Sequence, residues 1–137
     1  MANGRFRYYY WSIRTLITEQ NEIVGLERYS SEDDAIYSGR LDFRLVFNDG
    51  SRFIAITVLD ENGQIIEHTY YYCYKNANGI RVFSYDDRDH HDVETAPHHM
   101  HIGATPEGNE EDTALPSDLI PVSFFTVFQK ICDRFQS

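Results

Sequence analysis

The sequence predicts an α+β fold: an antiparallel β-meander of four to five strands with an N-terminal and a C-terminal helix packed on it. Two patterns carry this prediction. Apolar residues recur at helical steps of three and four near both ends of the chain, and they alternate with a period of two between those ends. A length of 137 residues suits one domain, so we expect residues 1–137 to form a single α+β domain.

The two terminal segments have the spacing of amphipathic helices. The N-terminal apolar stripe consists of Phe6, Tyr9, Tyr10, Ile13, Leu16 and Ile17. Its aromatic and β-branched side chains make a strand the alternative. The C-terminal stripe consists of Phe124, Phe125, Phe128, Ile131, Cys132 and Phe135. We expect this second helix to cover the sheet and to carry Pro121 in its first turn.

Residues 40–58 predict a β-hairpin. Its first strand contains the alternating apolar residues Leu41, Phe43, Leu45 and Phe47. A turn follows at residues 48–51, where a two-residue loop of Asp49 and Gly50 suits type I′ geometry. In that register the facing pairs are Leu45 with Ile54, Phe43 with Ile56, and Leu41 with Val58. The apolar side chains of both strands then share one face of the sheet.

Further strands are predicted at residues 23–29, 65–75 and 80–86. Within the second of these, Tyr70, Tyr72 and Tyr74 project to one side. Such a row can form a stacking surface for nucleic-acid bases, or it can pack within the sheet. The sequence leaves both interpretations open.

The charge of the chain restricts its partners. A formal net charge of −10 argues against broad, nonspecific duplex binding, which needs a surface rich in Lys and Arg. It suits a partner with a basic face and still permits a local pocket for RNA. Cys73 and Cys132 belong to no pairing motif, so we expect reduced thiols. Because no signal peptide and no apolar stretch of membrane length is visible, we expect a cytoplasmic protein with no membrane partner.

The residues best suited to catalysis or metal binding lie between Asp86 and His101. Five of the six histidines are His90, His91, His98, His99 and His101, and the residues just before them are Asp86, Asp87, Arg88 and Asp89. Imidazole titrates near neutrality, so clustered His and Asp suit general acid–base catalysis. In an extended chain His99 and His101 point the same way, which also suits a metal ion, although the ligand spacing of zinc fingers is absent. Histidines in a loop can also be simply solvated.

Six short motifs follow one another along the chain. They are Gly39-Arg40-Leu41-Asp42-Phe43, Asp49-Gly50-Ser51, Tyr70-Tyr71-Tyr72, Phe83-Ser84-Tyr85-Asp86, His90-His91 and Pro97-His98-His99-Met100-His101. In this order, between two terminal helices, they resemble the TumE-type toxins of prokaryotic toxin–antitoxin pairs. The resemblance runs from about Tyr9 to the C-terminus. The chain departs from it at Ser84, Asp87 and Thr57, where the family often has Arg, Asn and a carboxylate.

This resemblance implies a growth-inhibiting toxin whose partner is a cognate antitoxin, often a helix-turn-helix DNA-binding protein. A basic DNA-binding partner complements the acidic chain. The resemblance carries no settled chemistry, so RNA is one candidate substrate and a homodimer is one candidate assembly.

Our leading hypothesis is a metal-independent ribonuclease without a cofactor. His90 or His98 deprotonates a ribose 2′-OH, and another histidine of the cluster, such as His101, protonates the leaving oxygen. Arg88 stabilises the phosphorane charge, and Asp86 orients a His tautomer. The residues expected to contact substrate are Tyr70, Tyr72, Tyr85, His91 and His99.

Two alternatives remain. One is a non-enzymatic interaction or regulatory protein that binds through the tyrosine row or the last helix. The other is a metal-dependent phosphodiesterase or metal-binding module with Asp86, His98, His99 and His101 as ligands.

Overall fold

A computed structural model of the chain describes residues 3–33, 39–59, 65–87, 98–103 and 114–136. The helices are α1 (Asn3–Glu19) and α2 (Phe124–Arg134). The strands are β1 (Val24–Asp33), β2 (Gly39–Phe47), β3 (Arg52–Leu59), β4 (Ile65–Lys75), β5 (Arg81–Asp86), β6 (His99–Ile102) and β7 (Ala114–Pro116). Each strand pairs antiparallel with the next, so the strand order is β1-β2-β3-β4-β5-β6-β7.

The predicted α+β class is confirmed, but the sheet has seven strands where four to five were predicted. The two unexpected strands, β6 and β7, lie in the segment between Arg88 and Pro116, where the sequence shows no regular pattern. They are four and three residues long. Strands this short carry almost no periodic signal, and β6 contributes only two apolar residues, Met100 and Ile102, to an alternating pattern.

The predicted register of the β2–β3 hairpin is wrong by one residue. Leu45 pairs with Phe53, Phe43 with Ala55, and Leu41 with Thr57. The cause lies in the turn. The Phe47 N–H donates to the Ser51 carbonyl, and the loop has three residues, ending at Gly50 with φ of 85°. Three-residue loops of this type place a glycine in the left-handed region, and Asn48-Asp49-Gly50 suits them as well as it suits the two-residue loop that was predicted.

The corrected register decides which side chains enter the core. Phe53 and Ala55 are buried under the helices, together with Leu41, Phe43, Leu45 and Phe47. The residues Ile54, Ile56 and Val58, which were predicted to lie beside them, are half-buried on the opposite side of the sheet. We call the two sides the helix face and the far face.

The turn is held by side chains of the motif that marked it in the sequence. The Ser51 N–H donates to Asp49 Oδ1 at 2.8 Å, and the Ser51 hydroxyl donates to the same oxygen. The Tyr74 hydroxyl donates to Ser51 Oγ at 2.9 Å. The Asp-Gly-Ser motif therefore closes the hairpin and ties it to β4.

Both predicted helices are present and pack on the helix face. Phe43 of β2 lies between them, with ring centroids 5.9 Å from Tyr10 of α1 and 5.6 Å from Phe124 of α2. Tyr9 and Phe125 join the helices directly, with centroids 5.5 Å apart. Neither of these two helices is both long enough and apolar enough to cross a membrane. Cys73 and Cys132 are buried free thiols, as predicted.

Helix α2 begins later than predicted. Ser123 is its N-cap, and its side chain accepts from the Thr126 N–H while the Thr126 hydroxyl accepts from the Ser123 N–H. This capping box sets the first helical residue at Phe124. Pro121 therefore lies before the helix and not in its first turn.

Candidate functional site

The histidine-rich segment enters the sheet as β6, beside the end of β5. In this pairing His99 lies opposite Asp86, and His101 lies opposite Ser84. Because successive side chains of a strand project to opposite faces, His99 and His101 project to the far face together with Asp86. Met100, between them, faces the helices and pairs with Tyr85. Residues adjacent in the sequence are thus divided between two faces.

On the far face Asp86, His99 and His101 form a buried group that we call the Asp86 cluster. Asp86 Oδ1 lies 2.8 Å from His99 Nε2, and Asp86 Oδ2 lies 4.0 Å from His101 Nε2. The two imidazole rings are nearly perpendicular, with centroids 5.0 Å apart. Relative exposure is 3% for Asp86 and 0% for each histidine.

The Asp86 cluster can do two things chemically. A buried carboxylate needs polar or charged groups beside it, and the close approach of His99 Nε2 to Oδ1 lets Asp86 help to orient His99. Alternatively, two imidazole nitrogens and one carboxylate oxygen, all within 4.8 Å of one another, can hold a metal ion. RNA cannot reach these groups in this arrangement because they expose almost no surface.

On the helix face the neighbouring histidine makes a different set of contacts. His98 Nδ1 lies 2.7 Å from the Tyr70 hydroxyl, and the two rings stack with centroids 5.8 Å apart and planes 10° apart. The Tyr70 backbone N–H donates to Asp87 Oδ1 at 3.3 Å. Tyr70 and Asp87 are buried, whereas His98 is only half-buried. We call Tyr70 and His98 the His98 pair.

Tyr70 stays protonated under physiological conditions. Burial raises the pKa of its phenol, and the negative charges of Asp87 and Asp86 raise it further. Its hydroxyl can therefore accept a hydrogen bond from the His98 Nδ1–H or donate one to Nδ1. In either case the hydrogen bond to Tyr70 uses Nδ1 of the His98 ring.

The other predicted residues are placed as follows. Arg88, His90 and His91 lie outside the described residues. Tyr72 is fully buried, and its hydroxyl is 2.8 Å from Thr57 Oγ1. Tyr74 is buried as well. The burial of the tyrosine row agrees with packing inside the sheet and leaves no exposed stacking surface there.

Tyr85 belongs to a polar group that the sequence did not reveal. Its hydroxyl donates to Asp118 Oδ1 at 2.5 Å and accepts from Lys130 Nζ at 2.6 Å. Lys130 Nζ also lies 2.8 Å from Asp118 Oδ2 and 4.4 Å from the Phe83 ring centroid. A sequence signal that could have pointed to it is Lys130, a charged residue directly before Ile131 of the apolar stripe of α2.

The charges of this group follow from its contacts. Partial burial raises the pKa of Asp118, but hydrogen bonds from Lys130 and Tyr85 outweigh this and hold it below 3.8. Burial, followed by the hydrogen bond and charge of Asp118, raises the pKa of Tyr85. At neutral pH the Asp118 carboxylate and the Tyr85 phenol therefore share Lys130 Nζ, and together they join β5 to α2.

Comparison with known proteins places the chain in a family. The family model described as Toxin TumE matches residues 13–133. This range includes part of each helix, all seven described strands, the Asp86 cluster and the His98 pair. No curated protein and no solved structure matches the chain. Since the family match extends over nearly the whole chain, the protein belongs to the TumE family of toxins.

Proposed function

We propose that this toxin inhibits growth by cleaving RNA through metal-independent acid–base catalysis, with His98 as a proton-transfer residue. One observation carries the proposal: His98 is half-buried and is held through Nδ1 by a buried tyrosine. A catalytic imidazole needs both a fixed orientation and access to substrate. The His98 pair combines the two, whereas the Asp86 cluster is oriented but enclosed.

The proposed reaction is an attack within the RNA chain. His98 Nε2 accepts the proton of a ribose 2′-OH, the 2′-oxygen bonds to the adjacent phosphorus, and the bond from phosphorus to the 5′-oxygen breaks. A second acid, for which we propose His90, protonates the departing 5′-oxygen. Arg88 stabilises the charge of the phosphorane. The products are a 2′,3′-cyclic phosphate and a 5′-hydroxyl.

Tyr70 supports both protonation states of His98. As a neutral base, His98 donates its Nδ1–H to the Tyr70 oxygen and keeps the lone pair on Nε2. As an imidazolium, it keeps the same hydrogen bond and carries a second proton on Nε2. In this proposal Asp86 and His101 act by positioning, because they hold β6 beside β5 and so place His98.

The end groups of cleaved RNA test the reaction type. We expect purified toxin to cleave cellular RNA in the presence of a chelator and to leave 2′,3′-cyclic phosphates and 5′-hydroxyls. A 2′-deoxy nucleotide at a mapped cleavage position should block cleavage there. Absence of any cleavage by folded protein would contradict the proposal.

A second candidate, a metal-dependent phosphodiesterase, is favoured by the convergence of Asp86, His99 and His101. Metal-activated water would leave a 5′-phosphate and a 3′-hydroxyl, so the same end-group measurement separates the two reactions.

Two tyrosine variants test the role of the His98 pair. Tyr70→Phe removes the hydroxyl that contacts His98, and we expect cleavage to fall roughly 10-fold because the imidazole loses its orientation. Tyr74→Phe is the matched control, since it removes a hydroxyl from the same row that bonds Ser51 instead. Cleavage by Tyr74→Phe should stay within about twofold of the parent value. Equal activity of the two variants would remove Tyr70 from the mechanism.

The partner of the toxin is an antitoxin, and we propose that this is a basic helix-turn-helix DNA-binding protein. The support is the charge of −10, which would speed association with a basic surface. Association should therefore slow as ionic strength rises. An association rate that does not change with salt would contradict this choice of partner.

A further inference from the structure

We propose that the Asp86 cluster is a binding site for a divalent transition-metal ion of the Zn²⁺ class, with Asp86, His99 and His101 as its three protein ligands. The inference is independent of the proposed ribonuclease reaction. It concerns the far face of the sheet, while the His98 pair lies on the helix face.

The strand pairing brings the three donors together. His99 and His101 are alternate residues of β6 and project from the same face, and Asp86 of β5 is the register partner of His99. A donor atom from each residue lies within 4.8 Å of the other two. The site is thus formed by two neighbouring strands and not by a loop.

The distances suit a single ion. Zn–N and Zn–O bonds of about 2.0–2.2 Å place two ligand atoms of a tetrahedral ion roughly 3.3–3.5 Å apart. The two observed separations from the Asp86 oxygens, 2.8 Å to His99 Nε2 and 4.0 Å to His101 Nε2, lie on either side of this value. Both Nε2 atoms lie within 4.0 Å of a carboxylate oxygen of Asp86, so side-chain rotations would complete the geometry.

Burial makes a cation favourable at this position. A carboxylate exposed by 3% and two imidazoles exposed by 0% have lost nearly all contact with water. A divalent ion would compensate the carboxylate charge and coordinate both nitrogens with one set of contacts. The overall charge of −10 adds a favourable long-range potential for any cation.

The donor types select the ion. Two imidazoles and one carboxylate suit Zn²⁺, Mn²⁺, Fe²⁺ or Co²⁺, whereas Mg²⁺ and Ca²⁺ prefer oxygen ligands. Cys73 also projects to the far face, but in the register Ser84 stands between it and His101. The thiol is therefore outside this ligand set, and a soft Cu(I) site is not expected.

A bound ion would act as a link between β5 and β6. These strands share four register pairs, and among the strands that the structure describes β6 is followed by the three-residue β7. Coordination by one residue of β5 and two of β6 would strengthen this pairing at the edge region of the sheet.

Metal binding can be measured on untagged, chelator-stripped protein by equilibrium dialysis with Zn²⁺ or Mn²⁺, followed by elemental analysis. We expect about one equivalent of Zn²⁺ per chain, as a single site requires, and no retention of Mg²⁺. His101→Ala should weaken binding roughly 100-fold, because it removes a ligand. His98→Ala is the matched control, since it removes an imidazole three residues away on the other face, and its affinity should stay within about twofold.

A measurement on the parent protein covers the case in which His101→Ala fails to fold. In NMR spectra of the histidine ring nitrogens, Zn²⁺ should shift the signals of His99 and His101 and leave that of His98 nearly unchanged. Less than about 0.2 equivalents bound, or a shift confined to other histidines, would overturn the inference. RNA cleavage with no metal bound would leave the proposed function standing, and metal binding without RNA cleavage would leave this inference standing.

Discussion

The two faces of the sheet at β5 and β6 differ in what they do with neighbouring residues of one segment. On the helix face, His98 stacks on Tyr70 and keeps part of its surface exposed. On the far face, His99 and His101 are enclosed with the Asp86 carboxylate. One side thus offers an accessible imidazole, and the other offers a closed set of ligands.

Histidines that lie close together in the sequence therefore need not form one site in the structure. A strand sends adjacent side chains to opposite faces, so a histidine run on β6 is divided by the period of the strand itself. We propose that substrate chemistry belongs to the helix face and metal binding to the far face. The two faces should differ in packing, thiol accessibility and stability, and the largest difference should come from the core.

Truncation in the core of the helix face should have the largest effect. Phe43 is 1% exposed and touches both helices, so Phe43→Ala should lower the free energy of unfolding by about 3–5 kcal/mol. Ile56→Ala on the far face is the comparison, and its cost should be less than half as large because Ile56 is only half-buried. Urea denaturation measures both. Equal losses would show that the far face is packed as tightly as the helix face.

The reactivity of the two cysteine thiols compares how readily the two sides of the sheet open to solvent. Cys73 projects to the far face and Cys132 belongs to α2, and each is 1% exposed. Burial, and then the charge of Asp133, raises the pKa of the Cys132 thiol to about 11. Both thiols should react with a disulfide reagent at pH 8 at least ~100-fold more slowly than in denaturant. Fast labelling of Cys73 alone would show that the far face opens readily.

The hydrogen bonds of the hairpin turn should contribute less to the free energy of unfolding than the packing of Phe43 does. Ser51→Ala removes the hydroxyl that accepts from Tyr74 and donates to Asp49, so we expect a loss of about 1–2 kcal/mol in the free energy of unfolding. Thr18→Ala is a control of similar size, because the Thr18 hydroxyl bonds only within the exposed surface of α1. A larger loss for Thr18→Ala would contradict the role given to the Asp-Gly-Ser motif.

The smallest effect is a pH dependence from the Tyr85–Asp118–Lys130 group. The pKa of Asp118 is lower in the folded protein than its ordinary value of 3.8, so its stabilising contribution is complete above that value. The contribution is lost as pH falls through the folded pKa. Because the Asp118 side chain is 43% exposed, we expect less than about 1 kcal/mol. The stability difference between the parent protein and Asp118→Asn should shrink below pH 4, and a difference that grows with acidity would have the wrong sign.

Much of the fold could be predicted because the relevant signals are local. The stripes of α1 and α2 and the alternation from Leu41 to Phe47 each report one element by itself. The register of the hairpin could not be predicted, since Asn48-Asp49-Gly50 accepts a two- or a three-residue loop and Ile54 and Phe53 are both apolar. When two consecutive residues of a strand are both apolar, the sequence does not show which of them faces the core.

The candidate site was less predictable because it depends on contacts between distant residues. The sequence drew attention to Asp86, His98, His99 and His101, but it showed no sign of β6 and hence no sign that the segment would be divided. The contact of Lys130 with Asp118 and Tyr85 joins α2 to β5 and to the segment between β7 and α2, and residues so far apart form no recognisable motif in the sequence. Such groups become visible only once the pairing of strands and the position of α2 are known.

The central claim is that His98 and the Asp86 cluster are separate sites, and one variant tests it most directly. His98→Ala should be assayed in the same preparation for RNA cleavage and for Zn²⁺ stoichiometry. We predict at least a ~100-fold loss of cleavage, as expected for a general acid–base group, with about one equivalent of Zn²⁺ still bound. Cleavage at the parent rate, or loss of cleavage and Zn²⁺ together in a folded variant, would contradict the account.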